Sequence, residues 1–233
     1  MKTPSSSSVH RLTSNPALFA LLLIGFVLSG CATKSVDTSF AFTPETETGL
    51  VVGSASSDVK DESWYDGLVK FYYIKTDEIG KLGTKNAGFI YALPPTLPLG
   101  APGDSEFSDS DGSVFAIALE PGDYILSRWE IEVGAYAIIY PVDPAPLPFT
   151  VEKGKATYVG NLHMFFRTAR NIIGLTSIND GRPAISDRSE RDLPLLLERY
   201  PNLKREEIEI EIIDDRPWGG KGPPASIEAM LRH

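Results

Sequence analysis

The chain has 233 residues, with 22 Lys and Arg against 31 Asp and Glu and a formal net charge of −9 at pH 7. An acidic surface repels polynucleotides and no basic patch offsets it, so nucleic acid is excluded as a partner. One cysteine excludes an intramolecular disulfide, so the fold must rest on core packing.

The N-terminus carries Lys2 and Arg11, with no acid before Asp37, and then an apolar run of twelve residues from Ala17 to Leu28. Positive, apolar and small residues in that order make a secretory signal. Twelve helical residues reach about 18 Å, short of a hydrocarbon core of about 30 Å, and no later stretch approaches a membrane span. The run closes on Leu28-Ser29-Gly30-Cys31, which resembles the lipobox of bacterial lipoproteins. That resemblance implies a signal peptide over 1–30, cleavage between Gly30 and Cys31, diacylglycerol on the Cys31 sulfur, and an acyl chain of the palmitate type on its amine. Ala32 follows, where an Asp would retain such a protein in the inner membrane. The resemblance therefore implies lipid anchoring in the outer membrane, on the periplasmic face. Removing Lys2 and Arg11 with the signal moves the formal net charge from −9 to −11.

Residues 31–47 read as the lipidated cysteine followed by a flexible Ser/Thr/Glu-rich tether. Strand signals then follow one another at 49–54, 67–75, 87–92, 113–119, 123–133, 135–141, 148–152, 156–167 and 171–178. These runs are short, rich in β-branched and aromatic residues, and bounded by Gly, Pro, Asp or Asn. No helical pattern of comparable length interrupts them, which predicts a mainly β chain, an antiparallel sandwich over 48–180.

Within 123–133, alternation puts Ile125, Trp129, Ile131 and Val133 on one face. Tyr124, Arg128, Glu130 and Glu132 fall on the other, a wet side. Within 156–166, Ala156, Tyr158, Gly160, Leu162, Met164 and Phe166 share a face opposite Thr157, Asn161, His163 and Arg167. The 113–119 run is apolar on both faces and is expected at the centre of its sheet. Residues Glu152 to Lys155 read as a hairpin turn, with Gly154 supplying positive φ.

Leu119-Glu120-Pro121-Gly122-Asp123-Tyr124 is a Pro-Gly turn between two strands. It resembles the corner of carboxypeptidase-regulatory-like and transthyretin-like β-sandwich modules. Phe149 to Lys155, followed by Tyr158-Val159-Gly160, resembles a strand pair common in bacterial lipoproteins of that type. The match covers about 120–162. It implies an immunoglobulin/transthyretin-like sandwich, a binding or structural role, and no catalytic residue to carry over.

Towards the C-terminus, Asp192 is placed to cap a helix whose apolar face is Leu193, Leu196, Leu197 and Tyr200, with Pro194 in its first turn. Residues 207–213 alternate, with Ile208, Ile210 and Ile212 opposite three acids, as an edge or docking strand. This helix–strand extension, 181–213, should pack on the sandwich. Residues 214–233 form a Pro/Gly-rich tail.

Candidate sites are few. His163 shares the polar face with Asn161 and reads as solvent-facing, since neither a second domain histidine nor a thiol accompanies it. Asp104 to Gly112 has the acids of a calcium loop, but Phe107 and Ala118 would occupy the first and twelfth ligand positions of the helix–loop–helix motif. A solvated acidic loop is the reading, with an irregular calcium site as the alternative. Pro94, Pro95 and Pro98 favour extended backbone in a long loop that can dock a partner. Trp64, Tyr65, Tyr72, Tyr73, Tyr136 and Tyr140 exceed what a core needs, and aromatics on a sheet can stack on sugar rings. The sequence therefore predicts a non-enzymatic, lipid-anchored protein without metal or cofactor. Its partners would be the membrane, through Cys31, and an envelope protein or glycan, met through Trp64, Tyr65, Pro94, Pro95 and Pro98. A hydrolase without a recognisable motif is the remaining alternative.

Overall fold

Alternation of apolar and polar residues folds the described part of this chain into ten strands, because a half-buried strand needs one dry face and one wet or covered face. The structure, a computed structural model, describes residues 35–58, 67–93, 103–133, 137–141, 144–170, 174, 176–213 and 218. In chain order the strands are β1 (Gly49–Ser57), β2 (Gly67–Lys75), β3 (Ala87–Tyr91), β4 (Asp111–Leu119), β5 (Gly122–Val133), β6 (Ala137–Ile139), β7 (Leu147–Val151), β8 (Ala156–Arg170), β9 (Thr176–Ser186) and β10 (Ile208–Ile210). The α-helix α1 (Ser189–Arg199) and two short 3₁₀ turns complete the described elements.

The strands form two five-stranded sheets, a β-sandwich with a small C-terminal helix. Sheet A runs β10-β8-β1-β4, with β9 also on β8; sheet B runs β3-β2-β5-β6, with β7 also on β5. Most pairings are antiparallel, as the sequence suggests; β1 with β8 and β8 with β10 are parallel. In each sheet one long strand shares a single edge between two partners. β8 gives Ala156–Tyr158 to β10 and Asn161–Arg170 to β9. β5 gives Gly122–Leu126 to β7 and Ile131–Val133 to β6.

Two layers of core result. Between the sheets lie Val51, Phe71, Phe115, Ile117, Leu126, Trp129, Ile131, Leu162 and Met164 with their neighbours. On the outer face of sheet A a second cluster joins Leu50, Val52, Val114, Ala116 and Tyr158 to Leu193, Leu196 and Tyr200 of α1 and to Phe42. All nine residues of β1 are buried, since sheet A is covered on both faces.

Several expectations are corrected. The 113–119 run is apolar on both faces, yet β4 lies at the edge of its sheet. Its dry second face comes from α1, and its free edge is plugged. The Val36 N–H donates to Ala116 O at 2.8 Å, the Val114 N–H donates to Glu106 at 2.7 Å, and Arg199 donates to Val114 O at 2.8 Å while pairing with Glu106. Those contacts block edge-to-edge pairing. They also show that residues 35–47 are no free tether: Val36, Phe40 and Phe42 pack on the second core, and Asn202 donates to Ser39 O.

Two bulges change which side chains face the core. Opposite Tyr72–Tyr73, β5 skips a residue, so Tyr124 and Leu126 point inward before it and Trp129, Ile131 and Val133 after it. Tyr124 is therefore core, not wet face; burial pushes its hydroxyl pKa up, and the hydroxyl donates back to Glu120 O at 2.9 Å. In β8 the register slips beside Gly160, whose φ is +108°. Ala156 and Tyr158 thus face outward to α1, while Leu162 and Met164 face inward. Uninterrupted alternation had placed all four on one face.

The turns also differ. Pro121-Gly122 and Glu152–Lys155 carry the chain from one sheet to the other, so the second is an inter-sheet corner and not a hairpin. Of the expected strand 171–178, residues 176–178 open β9, Gly174 (φ +81°) lies between β8 and β9, and residues 171–173 and 175 lie outside the described residues. β9 continues past the boundary expected at 180, because Gly181 has no Cβ to collide with Ile131 and Met164, and Pro183 sits in a strand bonded to β8. Trp218, inside the expected tail, is buried in the inter-sheet core with its indole N–H on Ala145 O at 2.7 Å. All described residues fall in one compact unit, 32–233, and none of their helices is long and apolar enough to cross a membrane.

Candidate functional site

Gly30, Cys31, Trp64, Tyr65, Pro94, Pro95, Pro98 and Tyr136 lie outside the described residues. The described residues nearest to two of those segments, Gly67 and Leu93, sit at the same end of sheet B, where β2 begins and β3 ends.

The outer face of sheet B is a lattice of rings and charges. Val69, Phe71 and Tyr73 of β2 turn inward, so Lys70 and Tyr72 turn out; on β3, Ile90 turns in, and Phe89 and Tyr91 turn out. Cross-strand register then builds two rows, Tyr91–Lys70–Glu130 and Phe89–Tyr72–Arg128. The rings interlock: Tyr72 to Phe89 is 5.4 Å between centroids, and Phe89 to Tyr91 is 4.9 Å edge to face. Arg128 lies over the Tyr72 ring at 4.2 Å, and Lys70 sits 5.3 Å from the Phe89 centroid. Such ring and cation contacts are worth about 0.5–1.5 kcal/mol each.

Charges fix the lattice further. Lys70 binds Glu132 and stands 3.7 Å from Glu130, whose other oxygen accepts from the Tyr72 hydroxyl at 3.1 Å. Burial alone would lower the Lys70 pKa, but the hydrogen bond and charge of Glu132 outweigh it and leave it raised. Burial and Glu130 raise the Tyr72 hydroxyl. Ile138, beside Glu132 in register, is 57% exposed, and Tyr140 is 64% exposed. Of the aromatics singled out in the sequence, Tyr72 belongs to this face and Tyr73 to the core. Lys70, Phe89 and Tyr91 escaped that reading, although the alternation of 67–75 and 87–92 carries them.

The outer face of sheet A is built differently. Asp192 is fully buried inside α1 and is not its cap. Its carboxylate accepts from Ser54 at 2.5 Å, from Tyr158 at 2.6 Å and from Arg191 at 2.8 Å. The free N–H of Ser189 at the helix start is taken by Asp187 at 2.8 Å instead. Burial and the bond to Asp192 push the Tyr158 hydroxyl pKa far up. Arg191 stacks on Phe107 at 3.7 Å and reaches Asp109 at 3.3 Å.

His163 is half-buried, not solvent-facing, because Asp58 and Ser56 close over its ring edges. Asn161 donates to the Ser56 hydroxyl at 3.0 Å, that hydroxyl meets His163 Nδ1 at 2.8 Å, and His163 Nε2 meets Asp58 at 3.3 Å. Asp58 also accepts the Phe166 N–H at 2.7 Å. Burial lowers the His163 pKa and the Arg188 and Arg191 charges add to that, against the opposing pull of Asp58. A Ser–His–Asp line thus exists, but Ser56 is fully buried, so its hydroxyl is not offered to a substrate.

The acidic loop is also held by protein groups. Ser105 caps the Gly112 and Phe107 N–H groups, Glu106 is bound to Arg199 and Val114, Phe107 is buried, and Asp109 pairs with Ser110 and Arg191. Among the described residues no three His, Cys, Asp or Glu side chains converge as metal ligands. Comparison with protein-family models, with curated protein sequences and with solved structures returns no match.

Proposed function

We propose that this protein is a lipid-anchored, non-enzymatic component of the bacterial outer membrane that binds another envelope component through the outer face of sheet B. The observation that carries the reading is the ordered lattice of Tyr72, Phe89, Tyr91, Lys70 and Arg128 on one sheet. Aromatics and Arg held rigidly in advance are the residues that dominate binding energy, because little side-chain freedom is lost on contact. The lipid is proposed from Leu28-Ser29-Gly30-Cys31. Val36 is already bonded to β4, so only four residues separate a lipidated Cys31 from the folded body. Such a leash spans at most about 18 Å. Confinement of this kind raises the effective concentration of a weakly held partner at the same membrane.

Glycan binding is a second reading, favoured by one feature. Glu130 and Glu132, both hydrogen-bond acceptors, stand beside half-exposed rings on the same face. Crosslinking in intact cells tests both readings, with Cys31→Ser and Arg128→Ala as comparison strains. The partner reading expects one dominant protein adduct that both substitutions remove. Retention on cell-wall sacculi without a protein adduct would move the assignment to glycan. An adduct that Arg128→Ala leaves intact would remove this face from the function.

A further inference from the structure

The outer face of sheet A is only partly roofed. α1 packs on β1 and β4, and over β8 and β9 a cleft of about 450 Å³ remains open. That size lies within the range of small-molecule sites, about 300–1,000 Å³. His163, Phe165 and Ala184 line it from the two strands; Phe165 is 48% exposed and meets the His163 ring edge to face at 4.4 Å.

Four formal charges stand at the rim, and two of them meet: Arg191 is 3.3 Å from Asp109, while holding the buried Asp192 more closely at 2.8 Å. The other two have no such contact among the described residues. Arg188, exposed at the start of α1, uses its backbone N–H on the Tyr158 hydroxyl, but its guanidinium has no hydrogen-bond or ion-pair partner among the described residues. Asp58 accepts from the Phe166 N–H and touches His163, and burial keeps that ring on the neutral side of its usual range. No described Lys or Arg pairs with Asp58. Among the described residues, the cleft therefore holds one cation and one carboxylate that no described counter-ion pairs, with an apolar surface between β8 and β9.

A simple anion would gain Arg188 but face Asp58, and a simple cation the reverse. A ligand carrying both charges satisfies each side. We propose that this cleft binds a free amino acid or short unblocked peptide, its carboxylate on Arg188, its ammonium on Asp58 and its side chain over Phe165. This site is separate from the face of sheet B and does not depend on what that face binds.

The test is calorimetric titration of the full chain with a panel of free amino acids and unblocked dipeptides at millimolar concentration, followed by N-acetylated and C-amidated forms of any binder. We expect at least one unblocked member to bind, and acetylation or amidation each to weaken it about tenfold, the loss of one charge-assisted contact. Arg188→Gln should erase the penalty of amidation, and Asp58→Asn that of acetylation. No heat from any panel member, or blocked forms binding as well as free ones, would overturn the proposal. Arg188 is exposed and has no ion-pair partner among the described residues, so Arg188→Gln keeps the test decisive even if Asp58→Asn disturbs the end of β1.

Discussion

The two outer faces of this sandwich meet the same problem with opposite chemistry. Both carry ionisable side chains out of bulk water. On sheet A the carboxylate of Asp192 is sealed beneath a helix and fully bonded to Ser54, Tyr158 and Arg191. On sheet B, Lys70 and Glu130 are sheltered by rings of their own face, and Arg128 and Tyr140 remain in reach of solvent. The first arrangement fixes the fold, since a buried charge is tolerated only with every partner in place. The second leaves preorganised groups available to something else. The difference separates residues that hold α1 on the sheet from residues free to work.

The largest effect should come from Asp192→Ala. It leaves Tyr158, Ser54 and Arg191 without their shared acceptor, and we expect a loss of about 3–5 kcal/mol in urea unfolding. An effect below about 1 kcal/mol, the range of exposed pairs, would erase the distinction between the two faces. Next is Gly154→Ala. Gly154 has φ +67° and its missing Cβ leaves room for the Pro44 backbone, part of the N-terminal cover of sheet A. Strain together with that collision should cost about 1–3 kcal/mol and release residues 35–47, read as faster amide exchange at Val36. Unchanged exchange would show that the cover holds without this corner.

How much of this was legible in the sequence depends on the range of the interaction. Alternation is local, so most strands were legible within a few residues of their ends. Bulges are single-residue events: beside Gly160 and opposite Tyr72–Tyr73, each one reverses the face of everything beyond it. Tyr124 was therefore misplaced, and Tyr158 was put on the same face as Leu162. Asp192 looked like a cap because capping is local, whereas its partners Ser54 and Tyr158 lie 138 and 34 residues away. Val36 and Phe42 sit in a polar stretch, and only the three-dimensional edge of β4 gives them a surface to cover. On sheet B, Arg128 was read on the outward face and Tyr72 only as one of the surplus aromatics, together with the core residue Tyr73; their contact rests on a register that no local pattern states.

His163 should make the sheet A side sensitive to pH. Burial depresses its folded pKa below the ordinary 6.5. The unfolded chain then takes up the proton first as pH falls through that value, so stability falls with pH until the folded pKa is passed and is constant in this respect below it. Unfolding midpoints measured from pH 8 downward should decline below about 6.5, and His163→Gln should flatten that part of the curve. The same slope in both proteins would place the sensitivity on other groups, and would mean that the Ser56–His163–Asp58 line is not what couples this face to protons.

The smallest effect on stability is expected on sheet B, and its smallness is the point. Arg128 is exposed, lies over Tyr72 at 4.2 Å and has Glu130 no nearer than 3.9 Å. Arg128→Ala should therefore cost no more than about 0.5–1 kcal/mol. A residue so cheap to remove is not there to hold the sheet together, because Val69, Phe71 and Ile131 already do that from the inner face. If the same substitution also lowers capture of the proposed envelope partner, binding and folding are separated on one side chain. If Arg128→Ala instead unfolds the chain as Asp192→Ala does, the lattice is part of the scaffold. The two faces would then differ in appearance only, and the binding surface would have to be sought elsewhere.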